Sequence, residues 1–226
     1  MDAEAGRAPK PACPFKPADL RPVIIMASSG LLIGMGQNSG IRSMGDLLTQ
    51  GRQRTLNFSN GGNGSPGHLA AAVLSSTTPV KITAVPYKGN SQAVTAILSN
   101  EVDGGILATP GMLPHVAAGK IVPLAVTSAR RSQLAPQLPT VAELGLKALE
   151  SEVLYLVMAP AATPDAVLQP IARAIADALQ RPEMQARMKG LDLFYEGQTG
   201  AAAAKRLADL NARYGELVRS TGMKAE

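Results

Sequence analysis

The chain has 226 residues, 46% of them hydrophobic and 17% charged, and a formal net charge of +5; it is long and apolar enough to bury one or two cores, which argues against disorder. The basic residues are scattered, with only short groupings such as Arg130-Arg131 and Arg52 with Arg54, and there is no Trp, with 3 Phe and 4 Tyr to stack on bases, so the composition argues against nucleic-acid binding. Cys13 is the single cysteine, which excludes an intramolecular disulfide and a cysteine zinc cluster.

The first residues, MDAEAGRAPKPACPFK, carry acids where an export signal needs a basic start and hold no apolar stretch, so the chain as given reads as having no signal peptide. The uncharged run from Pro22 is broken by Ser28, Ser29, Gln37, Asn38, Ser39 and glycines; it reads as two short buried strands, residues 23–26 and 31–35, and not as a membrane span. Ser43 with Asp46 three residues on is a capping-box spacing and opens a short helix through Leu47 and Leu48. A β-rich run over 55–59 enters a glycine loop, after which Ser65-Pro66 supplies an N-cap and a first helical position for a helix to about residue 74.

The alternation continues with a strand over 80–85, a helix over 91–98, a strand near 102–106, a helical turn over 110–115 and a strand over 122–127. Repeated βα units predict an α/β protein with mainly parallel sheets and a ligand site outside the carboxyl ends of the strands. A strand over 153–158 then leads into a helix capped by Thr163 with Pro164 first, whose buried stripe is Leu168, Ile171, Ile175 and Leu179. A helix over 182–188, a strand over 191–195 and a last helix over 200–218 follow; Leu207, Leu210, Tyr214 and Leu217 on the last read as core.

Three chemistries compete for the glycine loop. Gly62, Gly64 and Gly67 spell G-x-G-x-x-G between a strand and a helix, but a dinucleotide site also needs an acid near the end of the next strand, and that strand runs into Pro86-Tyr87-Lys88-Gly89. A hydrolase elbow at Ser65 fails because Asn63 stands where the motif needs glycine and Pro66 has no N–H for an oxyanion hole; His68 and His115 read as structural. A carboxylate cradle needs only small residues and free N–H groups at a helix start. A tight turn with no ligand remains the plain alternative.

LNFSNGGNGSPGHLAA at 56–71, VPYKGNSQAV at 85–94, LPHVAAGKIVPLAVTSARRS at 113–132, LPTVAELG at 138–145 and VMAPAATPDAV at 157–167 resemble, in order and spacing, the signatures of the Bug or TctC-like family of tripartite tricarboxylate transporter receptors, and the likeness runs from about Pro14 to Met223. The resemblance implies a two-lobed periplasmic-binding-protein-like fold, no catalysis, cofactor or metal, and capture of a small carboxylate or related metabolite in the bacterial periplasm for membrane transporter subunits. It maps ligand contacts onto Gly62, Asn63, Gly64, Ser65, Tyr87, Gly89, Thr109 and Pro110. It also implies that residues 41–152 form lobe two with the ligand loop, while 14–40 and 153–226 form a first lobe that is incomplete. The family's opening strands and helices, including a loop lining the other cleft wall, have no counterpart here. Asn60 replaces a small residue or Ser, and Leu107 and Ala108 stand where polar residues are common. A nucleotide-dependent α/β enzyme using Gly62–Gly67 for phosphate and an inactive remnant are the alternative readings. Uncovered apolar strand edges in lobe one predict low stability as a monomer.

Overall fold

A computed structural model describes residues 16–221. The leader read as lacking an export signal, Cys13, and the ends of the assigned lobes at 14 and 226 lie outside the described residues, as does Met223.

Residues 23–26 and 31–35 belong to one strand, not two: β1 runs unbroken through Leu20–Gly36. The polar break between them stays extended because its side chains find partners in the interior. Ser28 Oγ donates to Glu196 at 2.6 Å, and Ser29 Oγ lies 3.5 Å from the Tyr155 hydroxyl. Gly30 has no room for a side chain, since a Cβ there would fall 2.6 Å from Ser128 Oγ.

After β1 come α1 (Met44–Gln53), β2 (Leu56–Asn60), α2 (Pro66–Thr77), β3 (Ile82–Pro86), α3 (Asn90–Leu98), β4 (Gly104–Ala108), α4 (Thr109–Ala117), β5 (Ile121–Val126), β6 (Glu152–Pro160), α5 (Asp165–Leu179), α6 (Pro182–Gly190), β7 (Phe194–Thr199) and α7 (Gly200–Thr221). The capping spacing at Ser43 is used: its hydroxyl accepts from the Asp46 N–H at 3.1 Å, while Asp46 reaches back to the Arg42 N–H at 3.0 Å. Those two bonds satisfy donors that a helix start leaves open.

The second half of β1 sits inside a five-stranded sheet ordered β3-β2-β4-β1-β5, and its first half pairs with β6 and β7. β2 is parallel to β3 and β4, β4 and β5 both oppose β1, and β6 and β7 both oppose β1. Apart from β1, the strands of each half therefore run the same way, in keeping with a mainly parallel α/β fold. Residues 31–36, assigned above to lobe one, pair with β4 and β5 instead, because the strand crosses between the halves at Gly30 and Leu31. β6 and β7 each pair only with β1 among the described residues, and both are half-buried along most of their length.

Alternation along β1 feeds two cores. Leu31, Ile33 and Met35 pack with Leu47, Phe58, Leu74 and Ile106 under α1 and α2, whereas Leu32 packs with Val94, Ile97, Leu107 and Met112 under α3 and α4. A third core joins Val23 and Ile24 to Leu168 and Ala172 of α5. The expected α5 stripe needs correcting at one position: Ile171 is 44% exposed, and Ala172 takes its place against the sheet. Helix α5 also starts one residue later than expected, with Pro164 at the N-cap and the Thr163 carbonyl accepting from Arg21. On α7, Tyr214 and Leu217 pack against the α1 and α2 core, but Leu207 and Leu210 are only half-buried.

Candidate ligand-binding site

The loops leaving β2, β3 and β4 all open on the same edge of the sheet, because those three strands are adjacent and parallel in direction. Each loop runs at once into a helix, so the first turns of α2, α3 and α4 are presented together. Gly62, Gly64 and Gly89 have φ of +124°, +76° and +97°, a region that favours glycine. Asn63 and Gly64 are exposed at the loop tip.

Side chains brace the glycine loop from within. Asn60 Oδ1 accepts the Gly62 N–H at 2.9 Å, the Gly62 carbonyl accepts the Ser65 N–H at 3.1 Å, and Ser65 Oγ caps α2 through the His68 N–H at 3.3 Å. His68 Nδ1 accepts the Gly64 N–H at 3.1 Å, which is the structural role expected of it. The Asn60 carbonyl takes the Tyr87 N–H at 3.0 Å and so ties the second loop to the first. Asn90 completes the junction: a Cβ on Gly61 would lie 3.8 Å from its backbone N, and one on Gly111 would lie 3.2 Å from its side-chain Nδ2.

Neither α3 nor α4 has a side-chain cap, so the N–H groups of their first turns are left to face the junction. Lys88 is the one cation on the three loops, and the helix starts add the partial positive charge of their peptide dipoles. Two buried polar atoms lack partners in this region, Asn60 Nδ2 and Thr109 Oγ1, on residues each 1% exposed. A buried polar group without a partner costs about 1–3 kcal/mol.

Of the eight residues expected at the site, Gly62, Asn63, Gly64, Ser65, Gly89, Thr109 and Pro110 fall on these converging loops. Tyr87 joins them through its backbone only. Its ring packs on the core under α3 and α4, and its hydroxyl is buried without a hydrogen bond of normal geometry. Burial pushes the phenol above its ordinary value, and Glu101 just beyond the far end of α3 adds to the effect, so the hydroxyl is directed away from the glycine loop. Asn60, noted in the sequence only as replacing a small residue or Ser, and Asn90, not singled out there, are the side chains the structure adds to these loops. An Asn closing a strand before a Gly-rich turn, and an Asn following a glycine at a helix start, were the available signals.

The model of the tripartite tricarboxylate transporter family receptor matches residues 5–223. The chain belongs to that family. A Pseudomonas sp. (strain P51) protein named for the tcbD-tcbE intergenic region is 31% identical over 195 residues, covering 85% of this chain and 57% of that relative, so the chain spans little more than half of its length. Among solved structures, R. palustris Rpa4515 with adipate superposes with a TM-score of 0.82 at 28% identity, covering 92% of this chain and 71% of the other. The periplasmic binding protein BugD superposes with a TM-score of 0.83 at 24% identity over 94% of this chain and 73% of that one, a likeness of fold. The α/β architecture is thus that of the periplasmic binding proteins. Among the described residues no helix is long and apolar enough to cross a membrane, and no group of His, Cys, Asp or Glu is placed to hold a metal ion.

Proposed function

We propose that the chain is the ligand-capturing part of a solute receptor for small carboxylates, acting in the periplasm and delivering to membrane transporter subunits without catalysing a reaction. The observation that carries this reading is the meeting of three helix starts at Asn60, Asn90 and Thr109, with two buried polar atoms there still unmet. Family membership and the adipate named with Rpa4515 support the ligand class. In this reading the ligand contacts are Gly62, Asn63, Gly64, Ser65, Gly89, Thr109 and Pro110, with Tyr87 lending backbone and Asn60 added. The sheet edge carrying them, within residues 41–152, is one wall of the cleft, and the half built from β6, β7, α5 and α7 stands across the β1 crossing.

A phosphate site for a nucleotide enzyme draws less support. Gly67, the last glycine of the apparent fingerprint, is needed for packing: a Cβ there would lie 2.0 Å from the Ile106 carbonyl. No acid stands at the end of β3 to hold a ribose.

Energetics set what the site must do. Micromolar binding needs about −8 kcal/mol, while each exposed helix-terminus contact supplies about 0.3–1 kcal/mol; several loops must therefore act together. The test is thermal unfolding with adipate, malate, citrate and NAD. A carboxylate present at about a hundred times its Kd should add about 2.7 kcal/mol to the stability. Asn60→Asp keeps the acceptor for the Gly62 N–H but replaces the amide donor with a second carboxylate oxygen, so it should abolish that gain while the protein stays folded. Stabilisation by NAD alone would overturn the reading, as would no response to any carboxylate.

A further inference from the structure

Two passages of the chain link the two halves, β1 at Leu31 and the entry to β6 at Ser151, and the exit from β5 at Thr127 lies between them. Thr127 stitches them. Its N–H donates to the Leu31 carbonyl at 2.9 Å, its hydroxyl accepts from the Leu31 N–H at 2.9 Å and donates to the Ser151 carbonyl at 2.8 Å, and its carbonyl accepts the Ser151 N–H at 3.0 Å. This ribbon fixes where the halves join, and α7 adds a second contact between them, because its Tyr214 and Leu217 pack on the core under α1 and α2.

Next to this ribbon lies a cavity of about 470 Å³, remote in sequence from the glycine loop, with charged side chains on its walls. Glu196 on β7 is its centre. Oε1 accepts from Ser28 Oγ at 2.6 Å and from Arg130 at 2.8 Å, and Oε2 accepts from Arg206 at 2.6 Å. Arg206 on α7 also holds Glu152, the first residue of β6, at 2.7 Å. The Arg130 guanidinium stacks 4.1 Å above the Phe194 ring.

Arg130 belongs to the segment leaving β5, whose continuation packs Ala135 and Leu138 into the core under α3 and α4. Glu196, Phe194 and Arg206 belong to the other half. We propose that Glu196, Arg130 and Arg206 form an ionic clamp that sets the angle between the two halves, and thereby positions the glycine-loop wall against whatever faces it.

Two features favour a clamp over a second ligand site. Both guanidinium groups bonded to Glu196 lie against carboxylates, and the third arginine lining the cavity, Arg213, donates to the Glu150 carbonyl. The Glu196 side chain is 11% exposed and that of Arg130 54%, so the contact joins a largely buried carboxylate to a guanidinium open to solvent on one side. Burial alone would raise the Glu196 carboxyl; hydrogen bonds from Arg206 and Ser28 and the charges of both arginines outweigh it and hold the group below the usual carboxylate range. Close by, the Gln133 N–H donates to the buried Asp192 carboxylate at 2.8 Å, which brings the same segment within reach of Glu196 and spaces Arg130 onto it.

The test needs no ligand. Spin labels on Arg52→Cys of α1 and Asp177→Cys of α5, with Cys13→Ser, report the distance between the halves. The parent should give one narrow distribution, and Glu196→Gln and Arg130→Met should each widen it and move its mean. Arg131→Met, which breaks an exposed pair to Glu143 within one half, should leave it unchanged. If Glu196→Gln fails to fold, Arg130→Met still decides. Folded clamp variants that keep the parent distribution would overturn the proposal. The link to the site rests on the carboxylate reading and is tested separately by adipate affinity, which should change at least threefold in the clamp variants; a parent that binds no carboxylate counts against the function alone, because the distances are still read.

Discussion

Gly67 illustrates how one residue serves two purposes that sequence cannot separate. In the string it completes a phosphate-like fingerprint; in three dimensions it is the point where α2 presses on β4, and a Cβ would fall 2.0 Å from the Ile106 carbonyl, a backbone atom that cannot swing aside. Gly67→Ala should therefore cost about 1–3 kcal/mol through overpacking, read as a lower urea midpoint with the slope unchanged. Ser65 and Pro66 were legible because capping is local: the N-cap and the first helical position need only their own neighbours. Tyr87 was legible only in part. Its place after β3 follows from the strand pattern, but the direction of its ring depends on the core beneath α3, which no nearby residue encodes.

Among the elements, α5 shows where periodicity is blunt. Leu168, Ile171, Ile175 and Leu179 fit a helical stripe, yet so do Leu168, Ala172, Ile175 and Leu179, and the bulkier choice is the wrong one at the second place. In the packed stripe Ala172 faces Val23 and Ile24 of β1 together with Leu168, while Ile171 points to solvent. The difference is measurable. Leu168→Ala should cost about 2–4 kcal/mol, as buried leucines do, whereas Ile171→Ala should stay within about 0.5 kcal/mol; equal effects in chemical unfolding would refute the assignment. β1 was read as two strands for a similar reason. Its Ser-Ser-Gly centre looks like a turn in isolation, and its backbone pairing with β6 and β7 and its side-chain bonds to Glu196 and Tyr155, all distant in sequence, keep it extended.

For the whole molecule the βα alternation was enough to give the fold class, and it is the basis for proposing the ligand at the sheet edge where β2, β3 and β4 end, because parallel strands with short exits leave few other arrangements. The crossing between halves was not legible, since its ion pairs join Arg130, Glu152, Glu196 and Arg206 from four different segments. It also carries a pH signature. Glu196 faces Arg130 from the β5 exit, Arg206 from α7 and Ser28 from β1, and Arg206 in turn holds Glu152 of β6; no other titratable group is bonded to its carboxylate. Because its folded pKa lies below the ordinary carboxylate value, the folded state binds fewer protons than the unfolded chain at mildly acid pH. The stability it contributes is present above the unfolded value of about 4.3 and is lost as pH falls through the folded value. Urea unfolding of the parent should show that loss below about pH 4.5, and Glu196→Gln, which has nothing there to titrate, should be less stable at neutral pH yet lose less on acidification. Parallel pH profiles for parent and variant would mean that Glu196 is not depressed, and that its arginines hold it by shape and not by charge.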